Sequence, residues 1–172
     1  MLFQSDTLEL RALEPEDGAA VMDILNAPDV ANRLFGLPMK AQGMAFADWL
    51  GLAAHRKSDF YFAVTERQTG KILGLCAYQD IDYRNGRVTV WAALADAGLT
   101  VQTLTLLAEG AFAHLRMEHI ALLCLRGDTD TAASAEAAGF TLDAIFYSRI
   151  KKSGKSYDLT VYTLLKGEEG DT

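Results

Sequence analysis

The sequence predicts an α/β fold of the mixed (α+β) kind, with one mixed sheet covered by helices on both faces. Three observations carry this. Apolar strand patterns interleave with amphipathic helix patterns along the chain, and polar turns at 68–71 and 82–86 join strand candidates as hairpins. Near the C-terminus, a strand–turn–helix–Gly-Phe–strand unit runs through Gly127-Asp128-Thr129-Asp130-Thr131 to Glu136-Ala137-Ala138-Gly139-Phe140.

The elements follow in order. Thr7-Leu8-Glu9-Leu10-Arg11 alternates polar and apolar, as a half-buried strand does. Pro15, Glu16 and Asp17 mark a helix start, because proline fits the first turn and carboxylates favour its positive end. Val21, Ile24 and Leu25 form that helix's apolar face, and residues 28–38 read as a loop. Phe46, Trp49, Leu50 and Ala53 fall at i, i+3, i+4 and i+7, the spacing of a second helix with a buried stripe. Strands are expected over 60–64, 72–78 and 88–93, then a long helix with Val101, Leu104, Ala108, Ala111, Phe112 and Leu115 on one face. The last third adds a strand over 120–125, a short Ala-rich helix, and two strands paired across Lys151-Lys152-Ser153-Gly154. The lysines there, with Lys155, read as a solvated hairpin tip. The order is β-α-α-β-β-β-α-β-α-β-β, one domain over 1–172 with its core at about 7–166 and a frayed polar tail at 167–172.

Bulk properties narrow the function. At 172 residues, half of them hydrophobic and 23% charged, the chain is an ordered globular protein large enough for a sizeable core. A net charge of −7 and a pI near 4.9 argue against nonspecific nucleic-acid binding, which needs a basic surface. An acidic surface suits a cationic amine, and solubility alone explains it equally well. Cys76 and Cys124 lie in apolar runs and read as buried thiols. They and His55, His114 and His119 lack the spacing of a metal site. No secretory h-region or apolar run near ~18 residues is present, so the expectation is a cytoplasmic protein without a membrane partner.

Four segments resemble the GNAT acetyltransferases, especially the branch acting on ribosomal-protein N-termini and small amines. They are Leu10-Arg11-Ala12-Leu13-Glu14-Pro15-Glu16-Asp17, the turn Gly70-Lys71-Ile72-Leu73-Gly74, the Gly139-Phe140 close, and the hairpin Gly154-Lys155-Ser156-Tyr157-Asp158. The element order is also that of the GNAT fold. The resemblance implies acetyl-CoA as co-substrate, held where the fourth and fifth strands splay apart. Its pyrophosphate would lie on the N-terminus of the helix after the fourth strand, where free amides and the helix dipole stabilise an anion. The implied acceptor is a small-molecule or peptide amine, and the implied assembly a homodimer.

The family loop, Gln/Arg-x-x-Gly-x-Gly/Ala, falls on Ala95-Asp96-Ala97-Gly98-Leu99-Thr100, where only Gly98 matches. The amides of Gly98, Leu99, Thr100 and Val101 would form the phosphate cradle, with a main-chain donor near Trp91 polarising the thioester carbonyl. Asp96 opposes this. A carboxylate ~5 Å from a phosphate costs roughly 1 kcal/mol in water and about 3 at an effective dielectric of 20. Asp96 or Thr100 serves equally well as a helix cap, which would occupy those amides.

Acetyl transfer to an amine needs a base and a donor for the departing thiolate. The fourth strand offers Arg87, Thr89 and Trp91 but no carboxylate. Asp80 is the base candidate, against the simpler reading of an exposed strand end; Asp82 reads as a turn starter. Ala135 stands where many family members carry an acidic Tyr. Thr131 retains the hydroxyl of a Ser in this branch, and Asp128 replaces its Asn. Asp128 and Thr131 suit either CoA contact or capping of the Ala-rich helix. Tyr147 and Tyr157 fit an acceptor pocket or hairpin packing. Two functions therefore stand: an N-acetyltransferase acting by direct amine attack, or a GNAT-fold protein without catalysis that binds a small ligand or protein.

Overall fold

In the computed structural model, residues 3–35 and 45–167 are described. The strands are β1 (Phe3–Gln4), β2 (Leu8–Ala12), β3 (Phe60–Glu66), β4 (Ile72–Asp82), β5 (Arg87–Leu94), β6 (His119–Leu125), β7 (Thr141–Lys152) and β8 (Lys155–Leu165). The helices are α1 (Gly18–Asn26), α2 (Pro28–Ala31), α3 (Phe46–Ala54), α4 (Thr100–Ala113) and α5 (Thr129–Ala137). All strands join one sheet in the order β1-β2-β3-β4-β5-β6-β8-β7, in which only the β5–β6 pair is parallel. The expected fourth and fifth strands are thus β5 and β6, because the short β1 precedes them.

The two-residue period of the strands builds two cores. Val64, Cys76, Tyr78, Val88, Val90 and Leu122 face α4, which presents Leu104, Leu107 and Ala111. The alternate residues Ala63, Leu75 and Ala93 face the other way, against Val21 and Leu25 of α1 and Trp49 and Ala53 of α3. Tyr78 satisfies its buried hydroxyl by donating to the Leu107 carbonyl at 2.6 Å, tying β4 to α4. Burial pushes that phenol far above its usual range.

The motif segments become specific devices. Pro15–Asp17 forms a 3-10 turn leading into α1, and buried Asp17 accepts both Arg11 guanidinium nitrogens at 2.8 Å and the Glu14 amide at 2.8 Å. Gly139 adopts φ +94 after α5, a left-handed conformation that glycine enters without a Cβ penalty. It lets Phe140 donate its amide to the Ala135 carbonyl at 2.9 Å, the bond that closes a Schellman cap, while the Phe140 ring enters the core.

Two expectations differ from the structure. Residues 28–31 form a helical turn inside the expected loop, because Pro28 and Asp29 begin it as N-terminal helix residues do; residues 36–38 of that loop lie outside the described residues. Lys152 is half-buried rather than solvated, and donates to the carbonyls of Ala31, Asn32 and Leu34. Lys151 and Lys155 are exposed as expected. No helix among the described residues is long and apolar enough to cross a membrane.

Candidate active site

The parallel ladder pairs Arg87 with His119 through Val90 with Leu122, and there it stops. Both strands continue, β5 to Leu94 and β6 to Leu125, so a wedge opens between them. Along β5 the main chain alternates its hydrogen-bonding direction with period two. Ala95 donates to Leu73 on the β4 side at 3.0 Å, and the β4–β5 register is regular from Gly74–Leu94 to Gln79–Thr89. Trp91 and Ala93 therefore also turn their main-chain groups to β4, whereas Ala92 and Leu94 turn theirs into the wedge. The main-chain donor near Trp91 is thus the Ala92 amide.

The wedge is lined by Trp91, Ala92, Ala93 and Leu94 from β5, Leu122, Leu123 and Cys124 from β6, and Val30, Arg33, Leu34 and Phe35 from the segment after α1. Its enclosed part is narrow, about 40 Å³. A second cavity of about 220 Å³ holds Gln79, Asp80, Thr89 and Val90, and shares Phe35, Trp91 and Leu123 with the first. Trp91 thus borders both. Cys124 stays a thiol: burial raises its pKa, although Thr160 at 3.0 Å works in the opposite direction.

At the α4 N-terminus the chain enters through a 3-10 turn, Ala97–Leu99. Asp96 caps it, its Oδ1 accepting the Gly98 amide at 2.9 Å. Leu99 donates to the Asp96 carbonyl at 3.1 Å and Thr100 to the Ala97 carbonyl, so the amides of Gly98, Leu99 and Thr100 all have partners. Thr100 lines the first cavity, while Leu99 packs on the core and offers only its backbone. Asp96 and Gly98 are exposed, and one rotation about the Asp96 side chain would free the Gly98 amide. The loop fits an anion on that condition.

The other end of the wedge is the start of α5. Asp128 accepts the Thr131 amide at 3.1 Å and the Thr131 hydroxyl at 2.6 Å, so Asp128 caps the helix through Thr131, and both residues line the first cavity. Arg33 approaches this cap, 3.9 Å from Asp128 and 2.9 Å from Asp130. A cavity of about 370 Å³ beside it includes Asn32, Arg33, Arg126, Asp128 and Tyr157. Tyr147 is neither core nor pocket: it is 70% exposed, under the Arg126 guanidinium.

Asp80 sits on a deformation of β4, with φ +51 and a register break between Gln79 and Asp82. A non-glycine residue is held there against its preference. Buried Asp59 supplies the hold, accepting the Asp80 amide at 3.0 Å and the Ser58 hydroxyl at 3.2 Å, with Arg56 at 3.5 Å. Gln79 donates to the Tyr61 hydroxyl at 2.9 Å beside it, and burial raises that phenol's pKa. Asp82 starts the turn, accepting both the amide and the side-chain nitrogen of Asn85, which lower its pKa.

A family model described as an acetyltransferase (GNAT) domain matches residues 7–141. The chain belongs to the GNAT acetyltransferase family. It is an acyltransferase of that family, whose co-substrate is acetyl-CoA. Solved GNAT structures share the fold at low identity. Spermidine N-acetyltransferase from Vibrio cholerae, in complex with CoA and spermine, has a TM-score of 0.82 and 18% identity, covering 94% of this chain and 96% of its own. A Vibrio cholerae protein assigned as a ribosomal-protein-serine acetyltransferase gives 0.79 and 15%, covering 96% and 98%. A GCN5-related N-acetyltransferase from Brucella melitensis gives 0.79 and 22%, covering 96% and 78%. No curated protein matches significantly. In this GNAT chain, Trp91, Thr100, Asp128 and Thr131 converge on the first cavity, and Asp80 lies in the adjoining one. Gly98, Leu99 and Val101 stand at the helix entrance. Sequence reasoning passed over Arg33, Asp59 and Ala92. Only Asp59 left a trace, as a lone carboxylate directly before an apolar strand.

Proposed function

We propose that this GNAT chain transfers the acetyl group of acetyl-CoA to a primary amine by direct attack. The observation that carries the reading is the wedge beyond Val90 and Leu122, with the Ala92 main chain turned into it. Acetyl-CoA, when bound, supplies the thioester carbonyl that the amine attacks. The Ala92 amide polarises that carbonyl, and Trp91 walls it from the acceptor side. Asp80, in the adjoining cavity, takes the ammonium proton through water. The Thr131 hydroxyl, now aimed at Asp128, turns about its Cβ–Oγ bond to protonate the departing thiolate. The pyrophosphate lies at the helix entrance from Gly98 to Val101, where the Gly98 amide becomes its donor once the Asp96 side chain swings away, with Asp128 and Arg33 at the opposite rim. The acceptor is a small or peptide amine, drawn by the acidic cavity mouth at Asp80. The protein works in the cytoplasm, and by its resemblance as a homodimer.

A second reading draws on one observation, the Asp96–Gly98 bond at 2.9 Å. If that cap persists, the protein binds a different ligand and does not transfer acetyl groups. Calorimetric titration with acetyl-CoA, followed by a thiol-release assay with an amine panel, separates the two. Heat of binding and amine-dependent CoA release support the transferase. No heat at millimolar acetyl-CoA would sink it.

A further inference from the structure

We propose that Lys152 is a positioning residue of the acyl-donor cleft, holding the wall formed by residues 30–35 against the β5–β6 wedge. This rests on the reading that the wedge takes acetyl-CoA. Val30, Arg33, Leu34 and Phe35 form the side of the wedge opposite the two strands, and Phe35 continues into the cavity of Asp80. This wall has little regular structure of its own. α2 is a single turn, and the carbonyls of Val30 and Ala31 at its end accept the turn amides of Arg33 and Leu34 at 3.0 and 3.3 Å.

Lys152 adds a charged donor group from a distant part of the chain. Its ammonium bonds the carbonyls of Ala31, Asn32 and Leu34 at 2.7, 3.0 and 2.8 Å, from 118–121 residues further on. An ammonium has three N–H donors, enough to serve all three carbonyls. A cation at a helical C-terminus is also favoured by the helix dipole. The anchor sits at the end of β7, so the wall is coupled to the β7–β8 hairpin. A second tie fixes the wall's other side, where Arg33 meets Asp130 and Asp128 at the α5 entrance. The wall is thus held between the β7–β8 hairpin and the start of α5. Losing the Lys152 anchor leaves its carbonyls to water and lets it drift from the wedge, which weakens ligand binding more than chemistry.

The test compares Lys152→Met with the unmodified protein, using Lys151→Met as the exposed neighbour control. The expected result is a KM for acetyl-CoA raised about tenfold, equivalent to about 1.4 kcal/mol, with kcat within about twofold. Hydrogen exchange of the ligand-free protein over 30–35 should also be faster by about tenfold, with Lys151→Met unchanged in both assays. An unchanged KM overturns the proposal, even with faster exchange, since Lys152 would then be structural only. A fall in kcat at constant KM overturns it as well. Should Lys152→Met fail to fold, Lys152→Gln is read in the same assays; its shorter, uncharged amide has two donors for three carbonyls, so KM should still rise at least about threefold, and an unchanged KM overturns the proposal. If the unmodified protein does not bind acetyl-CoA, the transferase reading falls and takes this proposal with it. If it binds and only the Lys152 comparison is flat, this proposal alone falls.

Discussion

Asp96 is the residue on which acetyl-CoA affinity turns, and two substitutions separate its possible effects. Its carboxylate accepts the Gly98 amide at 2.9 Å, so it opposes a diphosphate both by charge and by occupying a donor. A pyrophosphate oxygen reaching for that amide would come within roughly 5 Å of the carboxylate, where repulsion is about 1 kcal/mol in water and about 3 at an effective dielectric of 20. Asp96 is exposed, so the lower half of that span applies, a factor of about 5–30 in Kd. Asp96→Asn keeps an oxygen for the Gly98 amide and removes the charge, while Asp96→Gly removes both. If charge dominates, both variants tighten acetyl-CoA by that factor, and the gap to the unmodified protein narrows as salt rises. If occupation dominates, only Asp96→Gly tightens it. The same substitution should lower stability by only about 0.3 kcal/mol through the lost cap, because glycine is itself tolerated at an N-cap. Isothermal titration at two ionic strengths reads all of this. Equal Kd values for the three proteins would refute the reasoning, because neither the charge nor the capped amide would then lie in the ligand's path.

Asp80→Asn should lower kcat by about 100-fold or more, with acetyl-CoA affinity unchanged in titration; retained kcat would remove Asp80 as base. Asp59→Ala takes away the acceptor that holds the Asp80 amide, and should lower both kcat and stability, the latter by about 1–3 kcal/mol in denaturant unfolding. The Arg11 hydrogen bonds hold the Asp17 carboxyl below its usual range, helped by the Glu14 amide and opposed by burial. A depressed folded pKa adds stability at pH above the unfolded value near 4, and that stability is lost as pH falls through the folded pKa. Asp17→Asn should therefore lower Tm at pH 7 and flatten the acid-side fall of Tm below about pH 4. A methyl added at Gly110 would meet the Phe3 ring and the Tyr78 hydroxyl oxygen at 2.6 Å, so Gly110→Ala should cost about 1–3 kcal/mol by calorimetry.

Local pattern alone determined the element types and most of their faces. Leu8 and Leu10 alternate into the core, Trp49 and Ala53 share a helical stripe, and Gly139-Phe140 closes α5, because periodicity and capping act within a few residues of chain. The resemblance drawn from such segments reached the family. Tertiary structure alone decided what the site can use. Asp80 is held on its strained backbone by Asp59, 21 residues away, and the wedge wall by Lys152, more than a hundred residues away. No local period carries such pairings, because they exist only once the sheet has brought distant segments within hydrogen-bonding reach.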